Sequence, residues 1–237
     1  DEETAQQLNA ALVKHVALVF RDQDFDIPKY LVAGGVFGEP QMEPFYNKYG
    51  HPEDQHVTLV SNQEHDDEGN LVLHGRVWHT DDCDAPAPPN YTVLYAVSIP
   101  EQCGDTGILN TRDGYASLPA DMQATLDQMK METVVSQGRA RLQDSTKKHV
   151  YDDKTRFAKG GLHPLVRTHP EAGTQALYFH GLKSDTIQGM TPEETKALLL
   201  DILARIDKPA FVYRHKWRIG DMLIWDNRQA LHQAFFD

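Results

Sequence analysis

Cysteine is scarce: Cys83 and Cys103 are the only two in 237 residues. That is too few for a disulfide scaffold, and their separation fits neither a zinc ribbon nor a redox pair, so both are expected to be reduced, structural thiols. Long apolar runs are missing too. Nothing approaches the roughly 20 residues needed to cross a bilayer, which excludes a helical membrane span and leaves no membrane partner expected. Positive charge is in short supply, with 23 Lys+Arg against 35 Asp+Glu, a formal charge of −12 (23 − 35). A nucleic-acid partner needs a basic footprint and is therefore not expected; the acidity mainly promotes solubility. The sequence shows no internal repeat, low-complexity segment or signal peptide, and a cytoplasmic location is expected. It opens at Asp1 rather than Met, and short N- and C-terminal pieces are expected to be missing.

What is present is an ordinary globular mixture, 40% hydrophobic, long enough for one large core. A single domain over residues 1–237 is expected. Leu8, Ala11, Leu12 and His15 stand at helical spacing behind an acidic first turn, predicting an amphipathic helix from about Glu2 to His15. Val16 to Phe20 predicts a buried strand, and a second helix follows Pro28 toward Gly38. Val57 to Val60, Leu71 to Asp81 and Tyr91 to Val97 are predicted as strands, the last two joined by the proline-rich Pro86 to Pro89. Such a link suits a β-sandwich or barrel better than alternating βαβ units. Leu118 to Met131 carries Met122, Leu126, Met129 and Lys130 at helical spacing and predicts a covering helix.

Ser136 to Gly161 is polar with few apolar residues and is either an active-site lid or a disordered excursion. Arg139, Arg141 and Lys147 within it would close over an anionic substrate in the first case and be merely solvated in the second. His163 to Pro170 and Ala176 to Phe179 predict a hairpin. Thr191-Pro192-Glu193-Glu194 carries a capping box and starts a helix running through Ile206. Phe211 to Trp217 alternates and predicts a half-buried strand, and Met222 to Trp225 a buried one that delivers Asp226 to His232 to its end.

Chemistry concentrates in Val77-Trp78-His79-Thr80-Asp81. In an extended segment His79 and Asp81 face the same side, which is half of a metal site. A second imidazole from His232 would complete a two-histidine, one-carboxylate facial triad for Fe(II). With twelve histidines in the chain, residue chemistry alone leaves zinc, another metal and a purely structural role open.

Several motifs occur in register: Trp78-His79-Thr80-Asp81, Gly104-Asp105-Thr106, His163-Pro164-Leu165-Val166-Arg167-Thr168-His169-Pro170, and Trp225-Asp226-Asn227-Arg228 through His232. In their order the chain resembles the family of taurine dioxygenase and 2,4-dichlorophenoxyacetate dioxygenase, from the Val16 to Gln23 region onward. The resemblance implies a mainly β fold with flanking helices (α+β), a cupin-like jelly roll or double-stranded β-helix, binding Fe(II) with 2-oxoglutarate and O2 as co-substrates. It implies iron ligands at His79, Asp81 and His232 and a 2-oxoglutarate contact at Thr106. The retained Asp81 favours hydroxylation, because family relatives that halogenate lack that carboxylate. The arginine that the family uses on the distal carboxylate of 2-oxoglutarate is expected beyond Asp237, and Arg228 is expected to be structural.

In the same resemblance Tyr46 matches a pocket tyrosine, Glu43 stands where taurine dioxygenase has a sulfonate-binding histidine, and Gly75 where it has an asparagine. The last two argue against taurine. A pocket-facing Glu43 would repel a sulfonate and suit an amine or hydroxyl; turned away, it would cap backbone. The expected reaction is hydroxylation of a small organic acid, sulfonate, phenoxy acid or amino-acid-like metabolite, with release of succinate and CO2, by a homo-oligomer. Alternatives are a non-catalytic metabolite sensor on the same barrel and a zinc hydrolase on the same ligands.

Overall fold

The computed structural model describes residues 1–42, 50–63, 65, 69, 74–83, 85, 87–133, 161–181 and 184–237. They form a sheet-rich architecture of thirteen strands with five helices around them. Two three-stranded antiparallel sheets matter most. In one, β12 (Met222–Asp226) lies between β1 (Ala17–Phe20) and β4 (Tyr91–Tyr95). In the other, β5 (Thr106–Asn110) lies between β11 (Val212–His215) and β13 (Ala230–Ala234). A third sheet orders β10 (Ser184–Ile187), β6 (Lys130–Thr133) and β7 (Gly161–Pro164), and two hairpins pair β2 (Gly50–His51) with β3 (Asp54–Thr58) and β8 (Val166–Thr168) with β9 (Gln175–Leu177).

Strand alternation assigns β5 and β13 two different environments. Ile108 packs with Val16, Leu223, Trp225 and Ala230, between the two principal sheets. Its neighbours Leu109 and Leu231 turn the other way, into a larger cluster with Trp78, Phe179, Leu199, Ile202 and Ile206. Gly107, on that second face, is needed for space: a Cβ there would sit 2.4 Å from the Phe235 ring and 2.9 Å from that of Trp78.

The helices flank this frame. Asp1 caps α1 (Glu2–His15) by accepting from the Thr4 N–H at 2.8 Å, and Pro28 enters the first turn of α2 (Ile27–Gly35). Asn110 caps the short α3 (Thr111–Ala116), and α4 (Ala120–Leu126) follows Pro119. In α5 (Pro192–Ile206) the capping box forms in both directions, with Thr191 and Glu194 satisfying each other's backbone N–H. That helix fully buries Leu199, Ile202 and Ile206, each side chain contributing about 1.5–3 kcal/mol relative to exposure.

Three expectations are corrected. Leu71 to Asp81 is not a continuous strand: 71–73 lie outside the described residues, and 74–81 carry only an isolated bridge from His79 to His232. The helix expected over Leu118 to Met131 stops at Leu126, and Lys130 to Thr133 is strand β6, with Met131 and Thr133 buried in alternation. Met129 and Met131 fit both periods, and pairing with Gly161–Pro164 decides for the strand. The third strand shifts, since β3 ends at Thr58 and leaves Leu59 and Val60 exposed. Neither cysteine forms a disulfide among the described residues; Cys83 is buried, whereas Cys103 is exposed. The lid segment lies outside the described residues up to 160, as do Arg139, Arg141 and Lys147.

Candidate metal centre

His232 sits in the middle of β13, directly opposite Ile108 of β5. Its backbone exchanges both hydrogen bonds with His79: the His79 N–H donates to the His232 carbonyl at 3.0 Å and the His232 N–H to that of His79 at 2.7 Å. A reciprocal pair of this kind fixes two residues distant in sequence at β-sheet spacing and puts their side chains on one side. The imidazole centroids are 3.9 Å apart. Asp81 completes the group, its Oδ1 lying 3.9 Å from Nε2 of His79 and 3.6 Å from Nε2 of His232. One ligand atom from each of the three residues lies within 4.8 Å of the others.

The surrounding bonds decide which atoms are on offer. Nδ1 of His79 is 2.7 Å from the Val77 carbonyl. A carbonyl only accepts, so Nδ1 carries the proton and Nε2 presents its lone pair toward Asp81. Asp81 is held through its other oxygen. Trp225 Nε1 donates to Asn227 Oδ1 at 3.0 Å, Asn227 Nδ2 to Thr92 Oγ1 at 2.8 Å, and the Thr92 hydroxyl to Asp81 Oδ2. The Trp-Asp-Asn run thus reaches the His-x-Asp pair through one β4 hydroxyl, and Oδ1 is left facing the imidazoles. Donors all oriented one way polarise each other, so the last bond to the carboxylate is strengthened.

His232 is held by packing. The Trp225 ring lies 4.5 Å away at 45°, while its buried Nδ1 has no hydrogen-bond partner among the described residues. Burial first, then the neighbouring His79, push its pKa down to about 3 against the opposing pull of Asp81. The ring is therefore neutral at physiological pH and able to ligate. Two imidazole nitrogens and one carboxylate oxygen suit a divalent first-row metal better than a hard all-oxygen cation.

Asp226, fully buried, anchors the turn between β12 and β13. It accepts from the Arg228 Nε at 2.8 Å, the Arg228 N–H at 2.9 Å and His169 Nε2 at 2.8 Å. Nδ1 of His169 accepts the backbone N–H groups of Glu171 and Ala172, so Nε2 must be the donor. Arg228 also donates to Glu171 and to the Tyr91 hydroxyl, which commits it to structure. Burial opposes its charge, but the bonds to Asp226 outweigh that and raise its pKa.

Thr106 is buried on β5, opposite Ala234 and thus diagonal to His232 on the same face. Gly75 lies against the centre: its carbonyl accepts from the Ala234 N–H at 2.7 Å, and a Cβ on it would be 3.6 Å from Cε1 of His79. Glu43 and Tyr46 lie outside the described residues. Sequence reasoning missed Thr92, whose bonds to Asp81 and Asn227 span 11 and 135 positions. It also missed His180, whose ring lies 5.0 Å from that of His79. Neither carries a local signal.

Scaffold and cluster together define a class: a sheet-rich protein with a two-histidine, one-carboxylate group set on a strand and an adjoining extended segment. The chain belongs to the taurine catabolism dioxygenase TauD, TfdA family, whose model matches residues 1–234. It is 33% identical over 160 residues to an alpha-ketoglutarate-dependent 2,4-dichlorophenoxyacetate dioxygenase of Cupriavidus pinatubonensis, an alignment covering 67% of this chain and 54% of that protein. It is 28% identical to an (S)-phenoxypropionate/alpha-ketoglutarate-dioxygenase of Sphingobium herbicidovorans, covering 96% of this chain and 79% of that one. Among solved structures, AAD-2 in complex with Mn(II) and N-oxalylglycine superposes with a TM-score of 0.77 at 27% identity, covering 99% of this chain and 81% of that chain.

Proposed function

We propose that the chain is a single jelly-roll domain acting as an Fe(II)- and 2-oxoglutarate-dependent dioxygenase that hydroxylates a small organic substrate. The observation that carries this reading is the convergence of His79 Nε2, Asp81 Oδ1 and His232 Nε2 on one point. These three residues would hold the metal. When bound, Fe(II) supplies the activation of O2 that couples decarboxylation of 2-oxoglutarate, to succinate and CO2, with substrate oxidation.

The protein's own groups prepare the site. Burial keeps the His232 imidazole neutral, the Val77 carbonyl turns Nε2 of His79 inward, and Thr92 commits one Asp81 oxygen so that the other is presented. Thr106, on the His232 face, offers a hydroxyl to a carboxylate of 2-oxoglutarate. The family resemblance assigns Glu43, Tyr46 and Gly75 to substrate binding. The named relatives point to substrates with an anionic head: phenoxy acids in two, and sulfate esters in an alpha-ketoglutarate-dependent sulfate ester dioxygenase of Pseudomonas putida that is 26% identical.

The test is succinate release under air with Fe(II), 2-oxoglutarate and a panel of phenoxy acids, sulfonates, sulfate esters and amino-acid derivatives. One class of substrate should stimulate it, and Asp81→Ala should abolish it. Stimulated release persisting in Asp81→Ala would refute the ligand assignment. Binding of 2-oxoglutarate without release for any candidate would point instead to a metabolite sensor.

A further inference from the structure

One hydrogen bond near the centre has a direction that bears on the co-substrate. Trp217 Nε1 lies 3.0 Å from Oγ1 of Thr106. An indole N–H can only donate, so the threonine oxygen must accept. The single hydroxyl proton is then obliged to point at some other acceptor, while an unrestrained threonine could donate or accept at will.

The indole is held for this task. Trp217 follows two residues after His215, the direct cross-strand partner of Thr106. The two rings meet edge to face, 4.4 Å apart at 86°. His215 is itself fixed, fully buried, with Nδ1 3.1 Å from the Tyr213 hydroxyl, and it lies beside Asp221, whose carboxylate is paired with Arg21. The indole also packs on the cluster of Val16, Ile108, Leu223, Trp225 and Ala230, whose Trp225 lies against His232. Rotation of the indole away from Thr106 would break both contacts.

We propose that Trp217 is a positioning residue for 2-oxoglutarate: by donating to Thr106 it occupies one lone pair of that oxygen and directs the hydroxyl proton away from the indole, toward the carboxylate of the co-substrate. This rests on the reading of Thr106 as the 2-oxoglutarate contact. The incoming N–H also polarises the hydroxyl and strengthens the bond it donates. Trp217 touches neither metal nor co-substrate in this scheme and acts only through Thr106. The device favours an acceptor: with one lone pair taken by the indole, the hydroxyl proton turned away from Trp217 is best matched by an anionic carboxylate.

The experiment is a double-mutant cycle on the full-length protein, with 2-oxoglutarate affinity measured by anaerobic calorimetry in the presence of Fe(II). Trp217→Phe keeps an aromatic ring and removes the donor. It should weaken 2-oxoglutarate about three- to tenfold, the range expected for one net hydrogen bond, and leave metal affinity within about twofold. In a Thr106→Val background the same change should add nothing. A merely structural tryptophan would instead give independent losses. Unchanged 2-oxoglutarate affinity in Trp217→Phe, or an equal further loss in the Thr106→Val background, overturns the assignment. Trp217→Leu, which also lacks the donor, is scored the same way if the phenylalanine variant does not fold. A wild-type protein that binds Fe(II) but no 2-oxoglutarate refutes the co-substrate reading itself, a result distinguishable from either outcome above.

Discussion

Replacing Thr92 by valine isolates the orientation of Asp81, the proposed carboxylate ligand, from the carboxylate itself. Valine has the shape of threonine without the hydroxyl, so the β4 backbone and packing should persist. Two bonds disappear: the one donated to Asp81 Oδ2 and the one accepted from Asn227 Nδ2 at 2.8 Å. Loss of an orienting partner of this kind typically costs 10- to 100-fold in metal affinity, about 1.4–2.7 kcal/mol. Asn227 is only 2% exposed, and leaving its buried amide unsatisfied should cost about 1–3 kcal/mol of stability. The assay is titration of metal-free protein with Mn(II), free ion followed by electron paramagnetic resonance, beside urea unfolding of the same samples. Thr92→Ser, which keeps the hydroxyl, should stay near wild type, and Asp81→Ala should lose binding outright. Thr92→Val with wild-type Mn(II) affinity and a loss of stability alone would refute the idea that the hydroxyl orients Asp81.

Two further outcomes follow from the same structure. Metal-free protein should lose stability on acidification: His232 has its pKa lowered to about 3 in the fold against 6.5 unfolded, so the unfolded chain takes up the proton first. The stabilisation is complete above pH 6.5 and declines below it, amounting to about 2 kcal/mol lost at pH 5. His215, lowered chiefly by burial and then by Arg21, acts in the same direction; a urea midpoint that does not move between pH 7.5 and 5 would contradict both. Gly75 has φ +68, and a Cβ there meets only ordinary contacts. Gly75→Ala should therefore cost about 1–2 kcal/mol through backbone strain, and Gly75→Asn less, with melting temperature as the readout; equal costs would place the penalty in packing.

Much of this was legible in the sequence where the determinants are local. The capping box at Thr191 and Glu194, the buried Met222 to Trp225 run and the hairpin after His163 each depend on neighbours within a few positions. The triad was legible for a different reason. A His-x-Asp pair needs only locally extended backbone, and the single bridge at His79 supplies it even though no strand forms around it. Long-range partners defeat such reasoning. The helical spacing of Met122, Leu126 and Met129 continues into a segment whose conformation is set by β7, with cross-strand partners 28 to 34 residues away in sequence (161 − 133 to 164 − 130). Thr92 and Trp217 likewise act through partners that only the folded sheets bring near. Arg228 could be read as structural because its matching position follows Trp-Asp-Asn, but its bidentate grip on Asp226 and its contact with Tyr91 are tertiary facts.

The placing of β5 between β11 and β13 has a consequence during synthesis. Both neighbours come from the last part of the described chain, so β5 leaves the ribosome with two open edges and no partner. At roughly 5–20 residues per second, the 124 residues from Asn110 to Ala234 (234 − 110) take about 6–25 s to follow. Until Val212–His215 emerges, Thr106 to Asn110 has neither neighbour, and one edge stays open until Ala230–Ala234 follows. β1 and β4 wait in the same way for β12. The nascent chain thus holds the strands that build its centre with open edges until β11, β12 and β13 have emerged.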